Sequence, residues 1–460
     1  MKTRYLKPQL FLLSGLLLTM ASCENLVEVD FPSNQISTQL VFQDVQTANA
    51  ALAGLYAGLW EDSPVSGGAR GAGALLGIYA DDLESHATSV VNAEYDLYRN
   101  IQIDDNVAVY AYWTSAYQKV YQANAIIGGM AGSSGISGSE KQRIKGEALF
   151  IRSLVLFYLQ QAFGNIPYPT TTDYEINRNL SKINAAATLQ KLEDDLKEAV
   201  PLLSDSYREP ERIVVNRKAA EFLLAKVLMS QNKWNEAEVL LKGIVTNPLY
   251  QFEPDLSKVF LKNGKHILFQ LKPKNAVDPT KEATLYYFVN SAPSVYSLSS
   301  DLVSSFTSGD LRKSQWITPV SFNQATKYRP SKYKAISNNS TEYSIVFRLE
   351  EVYLLLAEAL AQQNKLTEAL SFVNATRERA GLPALSSTVT KESLKTEILA
   401  ENRKEFFAEM GLRFMNLKRA GMLGMLSLTK PNFKTYHAFW PIPQKELLLN
   451  KNLNPQNEGY

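Results

Sequence analysis

The acidic residues and histidines are the side chains in this chain of 460 residues that could perform catalysis or bind a metal. Asp81 and Asp82 stand next to each other, and Glu84 and His86 follow closely. A glycosidase would need two carboxylates at a defined separation, one of them with a raised pKa. Neighbouring residues of a strand point in opposite directions, so this pair does not meet that need, and neither does Asp104–Asp105. Polar turns and helix caps are the simpler interpretation.

The remaining residue types argue against further classes of chemistry. The other two histidines, His266 and His437, are far from His86 in the sequence, so no histidine cluster with metal-ligand spacing is present. No glycine-serine nucleophile elbow and no phosphate-binding loop occurs. A net charge of +2 provides no basic field for nucleic acid. We therefore expect a protein that is not an enzyme, has no cofactor or metal, and does not bind nucleic acid.

Two stretches with one shared pattern organise the rest of the chain. Residues 219–237 and 351–369 align with each other when Ala225 is placed on Ala357. Each is typical of a helix, a short polar turn and a second helix, and the pattern resembles the tetratricopeptide repeat. The predicted fold class is therefore mostly α, a right-handed superhelical scaffold of such helix pairs with a loop-rich, partly β insert. The predicted pairs lie near residues 143–203, 216–245 and 345–380.

The insert, residues 250–341, differs in character from the helix pairs. Residues 266–271 and 283–289 have the composition of strands, and turn residues and scattered aromatic side chains fill the rest. A long loop-rich segment between two helical repeats predicts an inserted functional region. After the second pair, the pattern predicts a helix from Thr390 towards Arg413 and then an extended tail around Pro441.

The amino terminus has the composition of a secretory signal. Basic residues precede the apolar run Leu10–Met20, which is too short for a permanent membrane helix of about 20 residues. Small residues then lead to Cys23, the only cysteine, and make the segment resemble a bacterial lipobox. We expect cleavage before Cys23 and a lipid on its thiol; the alternative is an ordinary signal with an incidental cysteine. The predicted domains are a lipoprotein signal peptide at 1–22, a lipidated tether at 23–40 and a single helical domain at 41–460.

Several stretches resemble motifs of the SusD/RagB family of outer-membrane nutrient-binding lipoproteins. They are residues 146–159, FGNIP at 163–167, 348–360, VNATRERAGLP at 373–383, 403–419, and the tail at 441–444 and 456–460. The resemblance spans essentially the whole mature chain, except that Asn416 replaces the usual acidic residue of its stretch. We expect the charged motif residues to form ion pairs and caps between packed helices: Arg348, Glu358, Arg377, Arg379, Arg403, Glu405, Glu409 and Arg413.

The resemblance implies a function and a location. Members of the family capture glycans, or sometimes peptides, at the cell surface and cover a SusC-like TonB-dependent transporter. The resemblance therefore implies non-catalytic binding of a nutrient, foremost an oligosaccharide, and its delivery to such a transporter. A peptide ligand, a purely protein-binding scaffold and a surface glycoside hydrolase are the alternatives. Acidic residues after Cys23 resemble the surface-export signal of Bacteroidetes lipoproteins, which implies a lipid-anchored protein on the extracellular side of the outer membrane.

The resemblance also implies where a ligand would bind. Sites of the family form on loops outside the repeats, where aromatic rings cover the apolar faces of sugars and polar side chains bond to their edges. Ordinary packing is the alternative for each candidate. The predicted ligand-binding residues are Asn92, Tyr95, Tyr98, Tyr296, Trp316 and Arg329.

Overall fold

The computed structural model describes residues 41–87, 89 and 92–460. The predicted signal peptide, the tether and Cys23 lie outside the described residues. Helices dominate, so the prediction of a mostly α fold is confirmed. Within the described ranges, no helix is both long enough and apolar enough to cross a membrane.

The amino-terminal half is a set of helices around one long, buried pair. Its elements are α1 (Val45–Glu61), α2 (Ala72–Tyr79), β1 (Leu83–Ser85), α3 (Ala93–Arg99), α4 (Val107–Gly132), α5 (Gly138–Phe163), α6 (Tyr174–Asn177), α7 (Ala185–Leu202), α8 (Arg217–Ser230) and α9 (Trp234–Val245). Helices α4 and α5 pack along each other, and α5 is buried continuously from Gly146 to Phe163. Asp44 begins α1, because its carboxylate accepts hydrogen bonds from the amides of Gln46 and Thr47 at 2.8 and 3.1 Å.

The insert is closed by a two-stranded ribbon. Its elements are β2 (Ile267–Leu271), α10 (Lys281–Leu285), β3 (Tyr296–Leu298), α11 (Ser300–Ser304), α12 (Leu311–Trp316), β4 (Ile317–Phe322), β5 (Ala325–Pro330) and β6 (Ser344–Arg348). Strand β2 confirms the strand predicted at 266–271 and pairs antiparallel with β6. The ribbon therefore brings the two ends of the insert together.

The strand predicted at 283–289 is wrong. The hydroxyl of Thr280 accepts a hydrogen bond from the amide of Ala283 at 3.2 Å and begins the short helix α10. A threonine cap satisfies the backbone there, so the β-favouring residues that follow do not form a strand.

Both repeats found in the sequence are helix-turn-helix pairs. The first is α8 with α9, and the second is α13 (Leu349–Gln362) with α14 (Leu366–Arg379). The helices of each pair pack on each other, as do α5 and α7. Asn232 and Asn364 occupy the same place in the two turns, with φ of 59° and 64°, a left-handed conformation that asparagine tolerates well. The right-handed superhelical arrangement of the pairs stays a prediction.

The same ion cluster occurs twice, and each copy joins the turn of one helix pair to a helix outside that pair. We call these two copies the turn clusters. Lys233 of the first turn donates to Glu193 of α7 at 2.5 Å, and Lys365 of the second turn donates to Glu238 of α9 at 2.6 Å. The glutamine two residues before each lysine donates to the same carboxylate, at 2.8 and 2.7 Å. Helix α7 thus packs against the first pair in the way that α9 packs against the second, so the successive helices form one continuous stack.

A break replaces the single helix predicted from Thr390 towards Arg413. Helix α15 (Lys391–Phe406) ends, and α16 (Leu412–Arg419) begins after a short turn. In that turn, Ala408 and Gly411 have φ of 58° and 68°, which no right-handed helix accommodates. The cause lies in a charged cluster that takes up the last carbonyl groups of α15.

This cluster, the buried ion network, joins the insert to α13, α14 and α15. It consists of Asp310, Arg312, Lys332, Arg348, Glu350, Arg379, Glu401, Glu405 and Glu409. Arg348 donates to Glu405 at 2.6 Å, and Arg312 donates to Glu401 at 2.6 Å. Lys332 Nζ donates to the backbone carbonyls of Glu405 and Phe407 at 2.8 and 2.9 Å, which ends α15.

Ion pairing of the charged motif residues is confirmed. Burial opposes the ionisation of Glu405, but Arg379 and Arg348 hold its pKa well below the usual range. Outside the buried ion network, Glu358 pairs with Arg419 at 2.6 Å. Asn416, which stands where an acidic residue was expected, accepts a hydrogen bond from the same Arg419 at 2.9 Å. An amide therefore keeps part of the contact that a carboxylate would make.

The carboxy-terminal tail lies over the amino-terminal helices. The amide of Trp440 donates to the carbonyl of Ala162 at 2.7 Å, and its buried ring packs on Tyr112, with centroids 5.2 Å apart. A last helix, α17 (Gln444–Leu449), begins where the amide of Gln444 donates to the carbonyl of Asp104 at 2.8 Å. The tail thus ties the carboxy-terminal end of the chain to α4, α5 and the loop before α4.

Candidate functional site

A four-stranded sheet carries a polar, partly exposed face. Its strand order is β1-β3-β5-β4, with β1 from the amino-terminal half and the other strands from the insert. Glu84 is paired with Ser297 and Leu298 with Tyr328, so Arg329 lies one residue along the ladder beside Ser297. Because side chains alternate between faces, one set of residues shares one side. We call this set the polar sheet face: Glu84, His86, Ser297, Lys327 and Arg329.

Hydrogen bonds and one ion pair organise the polar sheet face. Lys327 Nζ lies 2.6 Å from Glu84 Oε2, so a cation on β5 reaches a carboxylate on β1 across β3. His86 Nε2 lies 2.7 Å from the hydroxyl of Ser297 on the intervening strand. Burial, and next the charge of Lys327, lower the pKa of His86. The imidazole is therefore neutral at neutral pH and can either donate or accept a hydrogen bond.

Arg329 is the least satisfied charge on the polar sheet face. Its guanidinium carbon lies 4.5 Å from the centroid of the half-buried Tyr287 ring. Its Nε is buried and has no hydrogen-bond partner within the described part of the chain. An aromatic ring under a guanidinium with spare donors offers both stacking and hydrogen bonding to a ligand.

Helix α3 places two tyrosines beside the sheet. Asn92 begins the helix, because its Oδ1 accepts from the amide of Tyr95 at 2.7 Å. The rings of Tyr95 and Tyr98 lie 6.0 Å apart, and both are half-buried. Burial, and next the charge of Glu84, raise the pKa of Tyr98, which shows that α3 lies close to the polar sheet face. Lys430 Nζ sits 3.8 Å from the Tyr98 centroid and supports that ring.

Two predicted aromatic platforms are not accessible. Tyr296 and Trp316 are each only 1% exposed. Tyr296 is on the core-facing side of β3, beside Tyr286 with centroids 6.4 Å apart. Trp316 donates from its indole to the carbonyl of Leu256 at 3.1 Å and packs on core rings. The expectation that these two rings present a face to ligand is therefore wrong, because strand alternation and the short helix α12 turn them inward.

The other predicted residues gather around one sheet, although their sequence positions are far apart. Asn92, Tyr95 and Tyr98 are on α3, and Arg329 is on β5. Sequence reasoning did not select Tyr287 or Lys327. The available signal for Tyr287 was its place in an aromatic run, and the mistaken strand assignment at 283–289 concealed that it lies in a loop.

Of the two carboxylate pairs considered for catalysis, Asp81–Asp82 is bound by arginines. Asp81 receives two hydrogen bonds from Arg413 at 2.8 and 2.9 Å, and Asp82 receives one from Arg403 at 3.0 Å. Burial opposes ionisation of Asp81, but the bond from Arg413 keeps its pKa below the ordinary value. These pairs join α2 to the carboxy-terminal helices, so both carboxylates act in the frame.

The remaining histidines are separated in the fold as they are in the sequence. His266 is buried, with Nε2 2.8 Å from the carbonyl of Val259, and His437 Nδ1 accepts from the amide of Lys434 at 2.8 Å. Burial lowers the pKa of His437 to about 4. Among residues 41–87, 89 and 92–460, no three acidic, histidine or cysteine side chains are grouped to hold a metal.

Comparison with known families and proteins agrees over most of the chain. A family model described as starch-binding and associating with the outer membrane matches residues 33–229, and a model of the SusD family matches residues 278–460. SusD-like protein P25 from Formosa agariphila is 23% identical, covering 97% of this chain and 98% of the relative. The starch-binding protein SusD of Bacteroides thetaiotaomicron is 33% identical over 126 residues, 25% of this chain and 21% of that protein.

Solved structures share the fold. A SusD superfamily protein from Bacteroides vulgatus has a TM-score of 0.81 and 22% identity, covering 91% of this chain and all of that chain. Surface glycan-binding protein A from Bacteroides thetaiotaomicron, solved in complex with laminarihexaose, has a TM-score of 0.76 and 18% identity over 90% of this chain and 99% of that one.

Proposed function

Because the chain belongs to the SusD/RagB family, we propose that it is a non-catalytic protein that binds an oligosaccharide on the polar sheet face. The observation that carries this proposal is the stack of Arg329 on Tyr287, with the tyrosine pair of α3 beside the same sheet. Sugar rings have apolar faces that suit aromatic side chains, and hydroxyl edges that suit guanidinium and amide groups. The laminarihexaose complex of a protein with the same fold supports this ligand class.

Binding without bond cleavage fits the chemistry of the charged groups. The buried Asp81 and Asp82 are committed to arginines, so neither is free to act as a general acid. On the polar sheet face, the one carboxylate, Glu84, is paired with Lys327. A retaining or inverting glycosidase needs two available carboxyl groups on opposite sides of the scissile bond. Burial raises the pKa of Asp82, as a general acid requires, but this carboxyl group is only 2% exposed and is bonded to Arg403, so a substrate does not reach it. A surface glycoside hydrolase is therefore the weaker alternative.

We further propose that the protein acts at the cell surface. Cleavage before Cys23 and lipid attachment there would anchor it to the outer membrane, facing outward, where it would deliver its ligand to a SusC-like TonB-dependent transporter. The match to a family described as associating with the outer membrane supports this location. Metabolic labelling with a fatty acid should label the wild type and not Cys23→Ser, and a large outer-membrane barrel should co-purify with the labelled protein. Labelling that survives the substitution would contradict the anchor.

Affinity gel electrophoresis tests the ligand and its place. The mature protein is run through gels that contain laminarin, starch, xylan, galactomannan or pectin, and at least one polymer should retard it. Tyr95→Ala and Arg329→Ala should each weaken that retardation about tenfold, since each loses one stacking or charged contact. Arg208→Ala, a half-exposed arginine paired with Glu147 away from this sheet, is the matched control and should migrate as the wild type. Retention of full affinity by both test variants would disprove the placement, and hydrolysis of the polymer would disprove the non-catalytic role.

A further inference from the structure

A second groove lies away from the polar sheet face. It has a volume of about 480 Å³, within the range of small-molecule sites, and shares no residue with the polar sheet face. Helix α4, the segment after α5 and helix α17 form its walls. The aromatic and polar residues that line the groove include Trp113, Tyr117, Tyr121, Tyr174, Asn177, Arg178 and Glu446.

Aromatic rings line this groove, and two of them are strongly exposed. Tyr121 is 55% exposed and Tyr174 is 69% exposed, although both are large and partly apolar. Deeper in the groove, the rings of Trp113 and Tyr117 lie 4.9 Å apart. The hydroxyl of Tyr117 donates to the carbonyl of Pro167 at 2.8 Å, which fixes the ring in place. The groove therefore presents fixed rings on its floor and open rings on its rim.

Polar groups stand beside these rings. Asn177 Oδ1 is buried without a hydrogen-bond partner in the described chain, and its amide nitrogen donates to the carbonyl of Thr171 at 2.8 Å. The side chain of Arg178 is half-exposed, and its guanidinium lies 5.3 Å from the Tyr174 centroid and 3.5 Å from a carboxylate oxygen of Glu175. Burial raises the pKa of Glu446, and a hydrogen bond from the indole of Trp113 opposes that shift. One acidic and one basic side chain suit a neutral ligand with hydroxyl groups.

The walls of the groove are held together before any ligand arrives. Asn450 Nδ2 donates to the carbonyl of Leu180 at 2.8 Å, and Asn452 Nδ2 donates to the carbonyl of Asn179 at 2.9 Å. These bonds join the carboxy-terminal tail to the segment after α6. A groove fixed in this way loses little entropy when a ligand binds.

We propose that this groove is a second saccharide-binding site, which takes a short stretch of a neutral polysaccharide between Tyr121 and Tyr174. Ring faces with an amide, a guanidinium and a carboxyl group beside them match the faces and edges of pyranose rings. Two sites on one protein would engage one polymer chain together, so the second contact raises affinity for the polymer more than for a short fragment. This proposal rests on the proposed function only for the class of ligand.

The test uses the whole mature protein and the polymer that retards it most in the gels named above. Tyr121→Ala combined with Tyr174→Ala should weaken retardation by that polymer about tenfold, and Tyr121→Trp should keep it. Calorimetric titration with a hexasaccharide of the same polymer should give two sites in the wild type and one in the groove variant. Leu448→Ser, a control on α17 whose side chain is 72% exposed and does not line the groove, should bind as the wild type.

The outcomes separate the two proposals. If the groove variant keeps both its retardation and its stoichiometry, the second site is disproved while the polar sheet face can stand. If Arg329→Ala has no effect and the groove variant loses binding, the groove is the main site and the assignment to the polar sheet face is wrong. If no polymer retards the wild type, both proposals fail. Loss of binding in Leu448→Ser, whose side chain does not line the groove, would mean that binding does not depend on the groove lining and would overturn the groove proposal.

Discussion

The buried ion network and the polar sheet face are made of the same kinds of side chain, and β5 leads into both. Arg329 near the end of β5 is on the polar sheet face, and Lys332 follows shortly after in the buried ion network. Every arginine of the network has carboxylate partners in a dry environment, whereas Arg329 has no carboxylate partner in the described part of the chain. A ring and a spare donor do not separate the two regions, because Arg379 also lies over the Phe252 ring and has an Nε without a partner among the described residues. Matched, buried charges hold the frame in one geometry. A charge that is half-exposed and not fully paired is the one available to a ligand.

The largest expected effect is the removal of a charge from the centre of the buried ion network. Glu405→Gln should lower the free energy of unfolding by about 3–5 kcal/mol, because it leaves Arg348 and Arg379 buried with an incomplete set of partners. Urea denaturation followed by circular dichroism measures this. The folded variant should still bind glycan, since Glu405 is not part of the polar sheet face.

A neighbour on the same helix provides the control for Glu405. Glu397 is half-exposed and lies 3.8 Å from Arg377, so Glu397→Gln should change the free energy of unfolding by less than about 1 kcal/mol. Equal effects of the two substitutions would show that burial does not distinguish the network from a surface pair. The buried ion network would then hold the frame no more firmly than exposed charges do.

Lys430 is intermediate between the buried ion network and the polar sheet face, because its amino group is buried yet lies at the edge of that face. It donates to the carbonyls of Ile78 and Tyr98 at 2.7 Å each, and burial lowers its pKa from 10.5 to about 7, although Asp81 and Glu84 oppose that shift. Between pH 7 and 10.5 the unfolded chain therefore binds the proton and the folded chain does not. Stability of the wild type relative to Lys430→Met should rise across that range, by up to about 1.4 kcal/mol per pH unit.

Chemical denaturation at several pH values measures this difference. Lys451→Met, at an exposed lysine, is the control and should keep the same stability difference from the wild type at every pH. A relative stability of Lys430→Met that does not change between pH 7 and 10.5 would mean that Lys430 stays charged in the folded protein. The carbonyl groups of Ile78 and Tyr98 would then stabilise a buried charge, as the carboxylates of the buried ion network do.

The two turn clusters, Glu193 with Lys233 and Glu238 with Lys365, should contribute less to stability, and their contribution should be lost at acidic pH. Burial opposes ionisation of Glu193, but bonds from Lys197 and Lys233 lower its pKa to about 2. The folded carboxylate therefore stays charged while the unfolded one takes up a proton as pH falls below 4.5. Glu193→Gln should cost about 1–2 kcal/mol above pH 4.5, and the difference from the wild type should disappear as pH falls towards 2.

The exposed Glu236, 4.0 Å from Lys197, serves as the control for Glu193. Glu236→Gln should change stability by less than about 0.5 kcal/mol at any pH. If its pH profile matched that of Glu193→Gln, the cluster would act through general surface charge and not through the bonds that join the turn to α7.

The frame was more predictable from the sequence than the site, for a physical reason. Helix pairs repeat the same spacing of alanines and leucines, and charged motif residues such as Arg348 and Glu405 contact each other in the core of the frame. The turns were visible too, since Asn232 and Asn364 align in the sequence. The break after α15 had a signal in Gly411, which takes the left-handed conformation there, but the ammonium that binds the last carbonyl groups belongs to Lys332, in a distant part of the chain.

The candidate site depends on which side of a short strand each residue faces. Tyr296 and Arg329 were both selected as loop residues, yet pairing of β1, β3 and β5 turns the tyrosine into the core and the arginine outward. A shift of one residue in register would exchange them. Composition carries no information on that register, so sequence reasoning found the region and could not choose among its aromatic side chains.

The smallest expected effect on stability belongs to the residue expected to matter most for binding. Arg329→Ala should change the free energy of unfolding by less than about 0.5 kcal/mol, because its guanidinium is half-exposed and its one described contact is with the Tyr287 ring. Urea denaturation of this variant beside Glu405→Gln measures the contrast directly. A loss above about 2 kcal/mol would place Arg329 in the frame and require a different charge for the ligand. A small loss of stability together with weakened glycan retardation would show that Arg329 serves binding and not the fold. Lys332, three residues later in the chain, would then differ from it by serving the fold alone.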